Sequence, residues 1–211
     1  MTSLDFTAPD IGFMQRCVSL AHSGMAKGEY PFAAVISRKG RFVCEAHNMV
    51  RCEGDVTRHA EMVALSEAQR TLKTTSLEDC TLYSTVEPCA MCAYAIRESR
   101  VGRVISGLRS PVMGGHSRWD ILTDSGLSSI MPEVFATPPT IQLGCLYDEV
   151  QEAFRKRHPF AWRVIEARRI FVGGPEQGDG ERSTAPAAGF DLEQRLVSWV
   201  RSRILDRLWR G

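Results

Sequence analysis

Two short stretches, His59-Ala60-Glu61 and Pro88-Cys89-Ala90-Met91-Cys92, carry the residues able to do hydrolytic chemistry. Together they offer one imidazole, two thiols and one carboxylate. One imidazole and two thiolates suit Zn²⁺, and three protein ligands leave its fourth tetrahedral position open to water, whose pKa then falls from ~15.7 to about 7. His59, Cys89 and Cys92 are therefore the candidate metal ligands. Glu61 is placed to move protons without taking a metal position. Alone, a Cys-x-x-Cys is ambiguous between redox, structural zinc and chance, and a His-x-Glu carries little. The conjunction is far more specific. A structural zinc knot would want a fourth Cys or His; His47 and Cys80 are spare, but neither sits in a paired ligand spacing. A redox couple leaves His59 and Glu61 without a role.

These groups must be held by ordinary elements, and the chain has material for them. It has 211 residues, 44% of them hydrophobic, enough for one domain with a sizeable core plus an extension. With 26 basic and 25 acidic residues the net charge is +1. That balance gives no global electrostatic reason to bind nucleic acid, although it leaves a local patch open. The seven cysteines (17, 44, 52, 80, 89, 92 and 145) are odd in number and scattered in apolar contexts. They fit buried free thiols in a reducing cytosol better than a disulfide framework, so a cytoplasmic location is expected. Residues 1–9 lack a basic segment followed by an apolar run, so no signal peptide is expected. No stretch approaches the ~18 apolar residues of a transmembrane segment.

Taken in order, residues 10–27 have helical periodicity (Ile11, Met14, Val18, Ala21), with Asp10 as the expected cap and Gly28 as the stop. Residues 32–36 and 42–47 read as strands joined by a hairpin turn at Arg38-Lys39-Gly40-Arg41. Asn48 follows. Its amide can read a heterocycle edge, but a turn-forming Asn is the commoner explanation. Residues 49–56 read as a loop. Thr57 is the expected cap of a helix over 58–71, with Leu65, Ala68 and Leu72 as its core stripe and His59, Ala60 and Glu61 in its first turn. The positive end of the helix favours an ionised Glu61 there.

Residues 81–86 form a third strand. Pro88 is expected at the first position of a helix over 89–99, which puts both thiols on one face, three residues apart. Residues 101–107 and 140–145 complete five strands, and 148–157 is a helix with Val150 and Phe154 inward, ending in a basic run expected to lie in solvent. Between them, 110–138 is mixed. Residues 117–122 could form a short helix, and His116, Arg118, Trp119 and Asp120 sit where they could cover a pocket. Strands alternating with helices imply a three-layer α/β/α sandwich on a central five-stranded mixed sheet. The expected domain is 1–160, followed by a segment at 161–172 that is either helix or strand. A flexible linker is expected at 173–189 and an amphipathic helix at 190–211.

The H-x-E…P-C-x-x-C arrangement is a signature of zinc nucleobase deaminases. Thr57-Arg58-His59-Ala60-Glu61-Met62 and Glu87-Pro88-Cys89-Ala90-Met91-Cys92 resemble segments of the cytidine-deaminase superfamily, on its purine side, over about residues 10–158. The resemblance implies a cytidine deaminase-like fold, a Zn²⁺ cofactor on His59, Cys89 and Cys92, and Glu61 as proton shuttle. It implies substrate contacts from Asn48, Phe32, the Ala60 backbone and Asp120, and a homodimer. His47-Asn48-Met49-Val50 resembles guanosine deaminases most, so hydrolytic deamination of a guanine- or guanosine-type small molecule is the main expectation. Adenosine-to-inosine deamination of tRNA is the alternative. A non-catalytic zinc scaffold with a partner-binding tail is the second alternative, against which the presence of Glu61 argues. Ala33, Val56 and Arg58 depart from the residues usual in the superfamily.

Overall fold

The structure, a computed structural model, describes residues 6–173. Residues 174–189 of the expected linker and the C-terminal helix lie outside these residues. Five strands form one mixed sheet in the order β2-β1-β3-β4-β5. β1 (Ala33–Arg38) pairs antiparallel with both β2 (Arg41–His47) and β3 (Cys80–Val86). β4 (Arg103–Leu108) and β5 (Thr140–Leu143) continue the sheet in parallel. Parallel neighbours need crossovers: one helix connects β3 to β4, and the 109–139 segment connects β4 to β5. α3 (Ala60–Leu72) joins the β-hairpin to β3, and α4 (Ala90–Glu98) joins β3 to β4.

The sheet is covered on both faces, which explains the almost continuous burial of β1, β3 and β4. One core joins α3 and α4 to the sheet through Ala64, Leu65, Ala68, Ile96, Leu82 and Val104. The other places α1 (Ala8–Ala26), α6 (Tyr147–Arg157) and α7 (Pro159–Ala167) on the opposite face through Met14, Cys17, Val150, Phe154 and Trp162. The three-layer arrangement expected from the alternation of strands and helices is the one observed.

Local chemistry moved several element ends. Thr7, not Asp10, caps α1: Thr7 Oγ1 accepts from the Asp10 N–H while the Asp10 carboxylate accepts from the Thr7 N–H, a reciprocal capping box. Asp10 is 1% exposed, and it also accepts from Tyr83 Oη (2.9 Å) and from both terminal nitrogens of Arg103 (2.8 and 3.0 Å). The 49–56 loop contains a single helical turn, α2 (Val50–Glu53). Residues 117–122 form turns, and the short helix is α5 (Ser125–Ile130), capped by Asp124. The ambiguous 161–172 segment is both things: α7, then a bridge between Val172 and Arg109. Arg157, expected in solvent, instead donates to the Gly28 and Glu29 carbonyls (3.0 and 3.1 Å). Cys52 is exposed rather than buried.

Asp10 has a pH signature. Burial pushes its carboxyl up, but Arg103, Thr7 and Tyr83 together outweigh this and hold it at about 2, below the ordinary 3.8. A carboxyl depressed by folding stabilises fully above its unfolded value, and the stabilisation is lost as pH falls from about 4 through about 2. The difference corresponds to about 2 kcal/mol. Asp10→Asn should lower the urea midpoint at pH 7, and the gap to the wild type should narrow toward pH 2. A gap that stays constant across that range would exclude this role.

Candidate active site

The two metal motifs meet because two helices begin side by side. Thr57 does not cap α3; its N–H and Oγ1 both bond Asp55 Oδ1 (2.8 and 2.7 Å), closing a turn early. His59 becomes the N-cap, with Ala60 and Glu61 at the first two helical positions. On α4 the cap is Cys89, so Pro88 precedes the helix rather than opening it, and Cys92 stands at the third helical position.

The resulting distances test whether zinc fits. Cys89 Sγ and Cys92 Sγ are 3.7 Å apart, and His59 Nδ1 lies 3.6 and 3.5 Å from them. A tetrahedral Zn²⁺ with bonds of ~2.3 Å to sulfur and ~2.05 Å to nitrogen separates its sulfurs by about 3.8 Å and nitrogen from sulfur by about 3.6 Å. The donor set has that spacing. His47, the spare histidine, is engaged elsewhere: Nδ1 with the Asn48 carbonyl (2.7 Å) and Nε2 with Lys27 (3.1 Å). Cys80 is buried in the core with Leu77 and Leu82. Among the described residues, His59, Cys89 and Cys92 are the group that could hold a metal.

Charge singles out one thiol. Of the seven cysteines only Cys89 is shifted down, to about 4: the hydrogen bond from the Cys92 thiol, with His59 helping, outweighs burial. Cys92 is raised by the same bond, because it keeps the pair's proton, and by burial. His59 is raised, chiefly by its bond to Cys89. Burial pushes Cys44 and Cys145 up to about 12, which makes them inert packing groups at neutral pH.

Glu61 is 6% exposed. Its Oε1 accepts from Ser84 Oγ (2.8 Å), and its Oε2 lies 3.6 Å from Cys92 Sγ. Burial raises its pKa, against its backbone and Ser84 hydrogen bonds. Asn48 is 5% exposed, with Nδ2 donating to Glu29 Oε2 (2.8 Å) and its backbone N–H to the Phe32 carbonyl (2.9 Å). Ala60 is fully buried at the start of α3. Phe32 is half-buried and packs edge-on against Phe154 and Phe171. Asp120 is exposed, on a left-handed residue (φ 54°) after Trp119.

Two supporting residues escaped the sequence reading. Glu29, fully buried, fastens Asn48 and accepts from the Arg51 and Cys52 N–H groups at the start of α2. Ser84 orients Glu61 from the middle of β3. In sequence they show only as a glutamate directly after a turn glycine and a serine within a strand.

The family model for the cytidine and deoxycytidylate deaminase zinc-binding region matches residues 8–108. The tRNA-specific adenosine deaminase of Aquifex aeolicus is 43% identical over 103 residues, which cover 49% of this chain and 68% of that protein. A chain solved in structural studies of A-to-I editing by tRNA deaminases at the wobble position of transfer RNA superposes with a TM-score of 0.60 at 30% identity. The superposition covers 67% of this chain and 98% of that one. The guanine deaminase of Nitrosomonas europaea shares the fold alone, with 23% identity, a TM-score of 0.55, and coverage of 72% and 85%. Among the described residues, no helix is long and apolar enough to cross a membrane. With the zinc-binding region matched and a His-Cys-Cys set at tetrahedral spacing, the chain belongs to the cytidine and deoxycytidylate deaminase family of zinc-dependent aminohydrolases.

Proposed function

We propose that the protein hydrolytically deaminates adenosine in tRNA. The observation that carries this reading is the 43% identity over 103 residues to a tRNA-specific adenosine deaminase. The main expectation from the His47-Asn48-Met49-Val50 resemblance, a guanine-type small molecule, therefore gives way to the RNA alternative. Charge supports the change. Between residues 152 and 169, Arg155, Lys156, Arg163, Arg168 and Arg169 are exposed against two acids, Glu166 and the Glu152 that pairs with Arg155 and Lys156, a local excess of positive charge suited to phosphates despite the neutral whole. A target base in RNA must leave its stack to reach such a site.

In this reading His59, Cys89 and Cys92 would hold Zn²⁺, which when bound would supply Lewis acidity and lower the pKa of water at its open position. Glu61 takes one proton from the attacking water and gives it to the ring nitrogen, then takes the second from the new hydroxyl on the ring carbon and gives it to the departing ammonia as the carbonyl forms. Its burial and its bond from Ser84 keep the carboxylate aimed at one place. Asn48, with one amide N–H tied to Glu29, has its oxygen and second N–H for the base edge. By the resemblance Phe32 and the Ala60 backbone would line the pocket, while the role of Asp120, an acid brought to the amino group, belongs to the guanine-type alternative. Met91, Tyr94 and Met113 are exposed, and such an apolar surface suits the second copy of a homodimer.

Ammonia release from a tRNA anticodon stem-loop, adenosine, guanine, guanosine and cytosine distinguishes the readings. Turnover of the stem-loop in strong preference to adenosine, with none of guanine, guanosine or cytosine, is the expected result. Turnover of guanine or guanosine without the stem-loop would restore the small-molecule reading, and silence on all five with zinc bound would favour the scaffold.

A further inference from the structure

We propose that Glu87 is a positioning residue that clamps the 110–117 segment against the metal site, and that the wall so formed selects the substrate. Only the substrate part rests on the deaminase reading. Glu87 directly follows β3, two residues before Cys89, and is 4% exposed. Its carboxylate accepts four hydrogen bonds from one loop. Oε2 takes the Ser110 N–H (2.8 Å) and Ser117 Oγ (2.7 Å); Oε1 takes the His116 N–H (3.0 Å) and the Ser117 N–H (2.7 Å). A carboxylate is acceptor-only, so this is a full set of donors for a buried charge.

The clamped loop lies directly on the metal motif. The Gly115 N–H donates to the Pro88 carbonyl (2.8 Å), and Gly114 bridges Cys89 in antiparallel fashion. The approach leaves no room for side chains: a Cβ on Gly114 would stand 2.1 Å from Glu87 Oε1, and one on Gly115 2.1 Å from the Ala93 Cβ. Beyond the glycines the loop presents groups that suit a planar heteroaromatic. His116 Nδ1 is buried with no hydrogen-bond partner, and the Arg118 guanidinium lies 4.9 Å over the ring of the exposed Trp119. Glu87 is the residue that gives these groups a set position relative to Cys89 and Cys92.

Glu87→Gln tests the clamp, because its amide turns an NH₂ toward N–H donors and breaks one half of the grip. Gly114→Ala is the second variant, with Glu87 intact but displaced. Both are compared with the zinc-loaded full chain for zinc per chain, for the rate of trypsin cleavage after Arg118, and for kcat/KM on the stem-loop and on free adenosine. The expected result is unchanged zinc, cleavage faster by roughly tenfold, and kcat/KM on the better substrate lower by about 100-fold, the scale of a displaced wall. The ratio between the two substrates should also shift. The proposal is overturned if zinc is lost in step with activity while the substrate ratio holds, since Glu87 would then only support the metal loop. Wild-type trypsin rates in both variants would overturn it as well. If the unaltered chain turns over neither substrate, the proposed function fails, while zinc content and trypsin cleavage still decide the clamp.

Discussion

Cys89→Ala should strip the protein of both its metal and its activity. The substitution removes one corner of the His59, Cys89, Cys92 set, and two donors hold Zn²⁺ far less well than three. Loss of an outer partner of a metal ligand already costs about 10- to 100-fold in affinity or activity, so loss of a ligand should exceed that. Zinc measured after dialysis should fall from about one per chain toward zero, and ammonia release should fall with it. The fold should survive in apo form, because Cys89 makes no side-chain cap bond to α4 and its Sγ contacts are those of the metal group. Full zinc occupancy in this variant would mean the ligand set is wrong.

Glu61→Gln should separate metal binding from turnover. Glutamine keeps the shape of the side chain and an oxygen for the Ser84 hydroxyl, now 2.8 Å from Glu61 Oε1. It cannot take a proton from water or give one to a ring nitrogen. Proton transfer by a positioned side chain contributes about 10²- to 10⁴-fold, and Glu61 is asked to act more than once in the cycle. A fall in kcat of about 10³-fold with zinc retained is expected. Turnover within tenfold of the wild type would show that another group moves the proton. Paired with Cys89→Ala, the measurement distinguishes loss of the metal from loss of the proton shuttle.

Periodicity and turn chemistry were enough for the architecture, since alternating strands and helices with both sheet faces buried leave few arrangements. They were less reliable at helix starts, where one hydrogen bond decides. Asp55 captured Thr57 and passed the cap of α3 to His59; Thr7 took the cap of α1 and left Asp10 for the buried pair with Arg103. Both shifts turn on which neighbour each polar side chain bonds, Thr57 with Asp55 and Thr7 with Asp10, and residue type alone does not rank those partners.

The metal ligands and Glu61 were legible because zinc chemistry demands particular atoms, and His-x-Glu with Cys-x-x-Cys places those atoms on adjacent helix turns. Their common focus needed the tertiary structure. His59 and Cys89 are 30 residues apart, and their atoms reach 3.6 Å only because α3 and α4 begin side by side. The supporting residues were decided wholly by the fold. Glu29, Ser84 and Glu87 hold Asn48, Glu61 and the 110–117 loop through hydrogen bonds across 19, 23 and up to 30 residues of chain. A carboxylate or hydroxyl bears no mark in sequence of the distant donor it will meet. Ligand identity is local chemistry that the chain can write in a few adjacent letters, whereas the walls of a pocket are made by segments that become neighbours only when the sheet closes.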